Sequence, residues 1–158
     1  MVFLDVVYNH FGPDGNYLHA YAPSFFRSDV HTPWGPAIDF RRKPVREFFT
    51  GNAAYWLHEY RFDGLRLDAV HAIAEQDWLE EMAHAIRQAT DRQRHVHLVI
   101  EHDGNAVPLL EHEFDAQWND DGHHVLHRLL TGENQGYYRD YDDRPAARLA
   151  RCLAEGFV

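Results

Sequence analysis

Three short β-forming runs, each closed by polar or charged residues and separated from the next by a helix-periodic stretch, constrain this chain more than any other feature. Val2 to Val7 is apolar apart from Asp5, and polarity rises at once in Asn9 and His10. Such a run reads as a strand buried on both faces of a parallel sheet. Phe62 to Ala69 alternates, so that Gly64, Arg66 and Asp68 share one strand face and Leu65, Leu67 and Ala69 the other. Val96 to Ile100 is the third run, and Glu101 ends it. Between the first two, Pro44 opens a helix with Val45, Phe48, Phe49, Ala53, Trp56, Leu57 and Tyr60 at helical spacing. Between the second and third, Trp78 to Ala89 buries Leu79, Met82, Ala83 and Ile86 along one stripe. Phe114 to Trp118 reads as a further short strand, with a helix over His123 to Leu130.

Strand, helix, strand, helix, strand implies an α/β fold with parallel strands, whose carboxyl ends all lie at one edge of the sheet. Asp68 and Glu101 are 33 residues apart, about one βαβ repeat, so neighbouring strands deliver both carboxylates to that edge. Residues 11–42 break the pattern, with Gly12, Pro13, Gly15, Pro23, Pro33, Gly35 and Pro36 spaced among aromatic residues. They read as a loop subdomain inserted after the first strand of a single catalytic domain spanning 1–158.

Carboxyl ends of buried parallel strands are where α/β barrels hold their chemistry. Arg66, two residues before Asp68 on one face, should keep Asp68 ionised, as a nucleophile requires. Glu101, facing that negative charge in a partly desolvated cleft, should tend to hold a proton. Two such carboxylates about 5 to 5.5 Å apart across a glycosidic bond act by double displacement with retention. Taken singly, the same residues also fit a buried Arg66–Asp68 ion pair that holds the fold together, with Glu101 a solvated strand end.

The stretches Asp5-Val6-Val7-Tyr8-Asn9-His10 and Gly64-Leu65-Arg66-Leu67-Asp68-Ala69-Val70-His71 resemble the first and second signature regions of the α-amylase family of glycoside hydrolases. Glu101 stands where the third region places the acid/base. Within that family, Phe25-Phe26, the run from His31 to Phe40, Ala69 to Ile73, and Ala116 to Asp121 resemble the members that free trehalose from maltooligosaccharides capped with it. The resemblance implies a partial TIM (β/α)8 barrel, about its strands three to six, and hydrolysis of the α-1,4 bond next to the terminal trehalose. It implies Asp68 as nucleophile, Glu101 as proton donor and Arg66 as the group that orients Asp68. Asp5, Asn9, His10 and His71 would shape the site or touch sugar, and Trp34, Trp118, Asp120 and His123 would flank subsites. A glucan-branching enzyme, or an inactive glucan-binding fragment, is the alternative reading.

Three departures from the family pattern stand out. Its third carboxylate, an Asp preceded by His near the end of the seventh strand, has no counterpart; His102 follows Glu101 where Asn is usual; and Gly122 follows the paired aspartates where an aromatic residue is expected. The first departure predicts a fragment with little activity by itself.

Composition removes other classes. A formal charge of −10 opposes binding to nucleic acid phosphates. No apolar run approaches the roughly 20 residues that span a bilayer, and no secretory signal is visible at the N-terminus. With Cys152 as the only cysteine, a cytoplasmic location is expected. No cofactor is expected. A metal is not expected either, although His123 and His127 have the i, i+4 spacing that can ligate zinc, and Asn9 and Asp39 are calcium-type oxygen donors. The anticipated partner is an α-glucan, and neither nucleic acid nor membrane.

Overall fold

The computed structural model describes residues 1–158, and they divide into two compact units, Met1–Gln117 and Trp118–Val158. In the first unit, β1 (Phe3–Val6), β4 (Gly64–Leu67), β5 (His97–Ile100) and β6 (Ala116–Gln117) form a sheet in the order β1-β4-β5-β6, every pair parallel. The register sets Asp5 beside Arg66 and Arg66 beside Val99, with Val6, Leu67 and Ile100 in the next row. Helices α2 (Lys43–His58) and α3 (Asp77–Ala89) cross between β1 and β4 and between β4 and β5, as the periodicity predicts.

One face of the sheet makes the core. Leu65, Leu67, Leu98 and Ile100 belong to the same buried cluster as Val45, Phe49, Ala53 and Leu57 of α2 and Leu79, Met82, Ala83 and Ile86 of α3. Each buried Val, Leu, Ile, Met or Phe side chain among them contributes about 1.5–3 kcal/mol, and the alanines less. Trp78 is fully buried, stacks on Phe40 with centroids 3.9 Å apart, and donates its indole N–H to Thr50. Arg46 of α2 reaches Asp77 and Glu81 of α3 at 2.8 and 2.6 Å, joining the two helices across their outer surface.

The opposite face is only partly covered. Phe3 is 40% exposed and Asp5 is exposed, so β1 is buried on one face rather than on both as its sequence predicts. Gly64 lies on this face, where a Cβ would come within 2.5 Å of the His97 carbonyl oxygen and 3.1 Å of the Phe3 ring. Only glycine permits that approach of β4 to β5.

The 11–42 segment holds more regular structure than an irregular loop. It contains α1 (Leu18–Tyr21) and an antiparallel pair, β2 (Phe26–Thr32) and β3 (Gly35–Ile38), with an irregularity in register between Phe26 and His31. Thr32 closes the turn, donating from its hydroxyl to the Gly35 carbonyl at 3.0 Å and accepting from the Trp34 amide at 3.2 Å. A short helix α4 (Val107–His112), not foreseen from the sequence, precedes β6.

The second unit packs α5 (Asp120–Thr131) against α6 (Pro145–Glu155) and a 3-10 turn at Gly136–Tyr141. Asn119 caps α5, its side-chain oxygen accepting from the Gly122 amide at 2.8 Å while its nitrogen donates to the Gly156 carbonyl at 2.5 Å. A Cβ on Gly122 would sit 3.1 Å from the Asn119 side chain, which accounts for a small residue there. Buried Asp121 accepts from the Tyr141 hydroxyl at 2.6 Å and from the Val158 amide at 3.0 Å.

Candidate active site

Three strand ends converge on one guanidinium. Arg66, on the partly open face of β4, is 8% exposed, and its side chain extends toward the carboxyl edge. Its Nη1 lies 2.7 Å from Asp5 Oδ1 and 2.7 Å from Asp68 Oδ1, while Nη2 lies 2.7 Å from Glu101 Oε2. Burial works against the Arg66 charge, but the bonds to Asp5 and Asp68 and the charge of Glu101 outweigh it and raise its pKa. Asp68 and Glu101 thus grip adjacent nitrogens of one planar fork at the same edge of the sheet. Arg66 also faces Glu101, which the sequence had set against Asp68 alone.

Backbone geometry fixes both carboxylates. The Asp68 amide donates to the Val6 carbonyl at 2.9 Å and the Glu101 amide to the Leu67 carbonyl at 3.0 Å, so each acid sits one step beyond its strand. At Ala69 the chain enters the left-handed region, φ +41°, and its amide turns onto Glu101 Oε2 at 2.9 Å. This donor is a main-chain group, and no residue type announced it. Buried Asn9 donates to the Asp68 carbonyl at 2.8 Å and reaches Asp68 Oδ2 at 3.5 Å.

His10 pairs its Nδ1 with the Asn9 side-chain oxygen and stacks on Trp34, centroids 4.7 Å apart and planes at 17°. Burial lowers the His10 pKa and the Asp68 charge opposes that shift, so the ring is neutral near pH 7. The exposed edge of Trp34 makes this pair a flat platform beside the carboxylates. His71, on a 3-10 turn at Val70–Ala72, accepts from the Asp103 amide at 3.3 Å and meets His102 edge to face at 5.8 Å. His102 and Asp103 are the one His-Asp pair after Glu101, and because they directly follow β5 they do not supply the family's later carboxylate. Trp118, Asp120 and His123 lie in the second unit, where Asp120 Oδ1 is 3.7 Å from His123 Nδ1 and Trp118 is 48% exposed. His127 pairs with Glu133 at 2.7 Å and stacks on Tyr138, which occupies it with partners other than His123.

No family model matches the sequence. A malto-oligosyltrehalose trehalohydrolase from Deinococcus radiodurans is 44% identical over 145 residues, 89% of this chain and 24% of that protein. One from Saccharolobus solfataricus is 41% identical over 152 residues, again 89% of this chain and 26% of that protein. A crystal structure from Salmonella typhimurium, provisionally assigned as an α-amylase, superposes with a TM-score of 0.91 at 43% identity, over 99% of this chain and 28% of that one.

The chain resembles a segment of a malto-oligosyltrehalose trehalohydrolase. It spans about a quarter of the length of these curated trehalohydrolases. Its parallel strands and crossover helices superpose on part of the Salmonella typhimurium structure and form a partial (β/α)8 barrel. No helix is long and apolar enough to cross a membrane.

Proposed function

We propose that this chain carries the nucleophile and acid/base of a retaining α-glucan hydrolase acting at the α-1,4 bond beside a terminal trehalose. The observation that carries this reading is the fork of Arg66 holding Asp68 and Glu101 at one sheet edge. Arg66 and Asn9 orient Asp68 for attack on the anomeric carbon, forming a glycosyl ester as the glycosidic C–O bond breaks. Arg66 and the Ala69 amide hold Glu101 by Oε2, so the proton for the departing oxygen would sit on Oε1. In the second half, Glu101 takes a proton from water, whose oxygen displaces Asp68. The Trp34–His10 platform offers a stacking surface for a sugar ring.

The test replaces the matching segment of the Deinococcus radiodurans relative with this chain and measures free trehalose from maltooligosyltrehalose. The chimera should release trehalose, and Asp68→Asn or Glu101→Gln should lower the rate by at least about a thousandfold. Undiminished rates in either variant would refute the assignment of that residue. Transfer of glucan chains without free trehalose would favour the branching reading instead.

A further inference from the structure

At the amino end of β5, the edge of the sheet opposite to the carboxylates, His95, His97 and Asp115 each present a ligand atom within 4.8 Å of one another. We propose that these three residues form a binding site for a divalent transition-metal ion of the zinc type, a function separate from the glycosidase reading.

Three observations support it. First, the His-x-His spacing flanks buried Val96, which sends both imidazoles away from the core, with ring centroids 4.4 Å apart. Second, Asp115 is already oriented. Its Oδ2 accepts from the Leu98 amide and from Arg87, both at 2.7 Å, leaving Oδ1 toward His95 Nε2 at 3.4 Å. Two ligands each about 2.1 Å from a tetrahedral ion lie about 3.4 Å apart, so this pair stands at the separation that coordination demands. Third, the His97 ring is steadied by stacking on Phe3 at 5.5 Å, and the outer-shell donors on Asp115 resemble those that orient metal-binding carboxylates. The mixed nitrogen and oxygen donor set suits zinc, copper or nickel better than calcium. Solvent-exposed His95 leaves the fourth position open to water.

Arg87 places a positive charge beside the site, which predicts micromolar rather than nanomolar affinity. No sequence motif marks this site, because Asp115 is separated from the histidines by helix α4 and reaches them only through the β5–β6 pairing.

Titration calorimetry with zinc sulfate on the 158-residue chain tests the site. The expected result is one equivalent bound at micromolar Kd, with a Tm several degrees higher in zinc and reversal by EDTA. His95→Gln, at an exposed position, should weaken binding at least about tenfold and leave the metal-free Tm unchanged. His112→Gln, an exposed histidine elsewhere, should bind as the native chain does. Absence of zinc binding in the native chain, or unchanged binding in His95→Gln, would overturn the proposal.

Discussion

The two faces of the four-stranded sheet share every backbone hydrogen bond yet differ in what covers them. On the helix side, Leu65, Leu67, Leu98 and Ile100 are at most 1% exposed and belong to one apolar cluster with the helices. On the other side, Phe3 and Asp5 are open to solvent, and the most deeply placed side chain is a charged one, Arg66. Stability is therefore concentrated in the helix-covered face and reactive groups in the open one. Because successive strand residues alternate between faces, Arg66 and Leu67 serve these two purposes from adjacent positions.

The largest test of this division is Leu67→Ala, which should cost about 3 kcal/mol in urea unfolding by leaving a cavity against the helices. A loss under about 1 kcal/mol would mean that the helix side is not the core of the fold. Gly64→Ala probes the open side where it is unexpectedly tight. The added methyl meets a backbone carbonyl, and the strands must part, at about 2 kcal/mol. Arg66→Met leaves Asp5, Asp68 and Glu101 without their cation. It should cost about 1–2 kcal/mol at pH 7, less than a fully enclosed pair because the carboxylates keep contact with water. Unchanged stability of this variant in urea unfolding would mean that the guanidinium is not needed to hold the three acids together.

The smallest effect concerns His102. Burial pushes its pKa below the ordinary imidazole value, Asp103 opposes this and His71 adds to it. The unfolded chain then binds the proton more readily, so the stability this residue contributes is present above about pH 6.5 and lost as pH falls below it. In His102→Asn the decline in Tm between pH 7.5 and 5.5 should be shallower by about 1–2 °C. An identical decline would remove His102 from the acid response.

Much of the first unit was legible because it is periodic. β1, α2, β4, α3 and β5 fall within a few residues of where their apolar spacing puts them. What escaped depends on partners far away in sequence. Asp5 was expected at the site, but its bond to Arg66 follows from the parallel register that sets the two side by side, which no local pattern shows. The β2–β3 pair was hidden by a broken register and by Pro36 within it. Helix α6 buries mainly Cys152, too little apolar surface to announce itself. The Ala69 amide could not be read from any side chain, since what matters there is a left-handed turn.

The Arg66 cluster is electrically unbalanced. Three carboxylates, those of Asp5, Asp68 and Glu101, share one guanidinium at the mouth of the sheet. Such a spot draws positive charge from solution and favours any sugar carbon that becomes cationic as its bond lengthens. Small amino-substituted sugars and amine buffers should accordingly collect there, and high salt should disperse them.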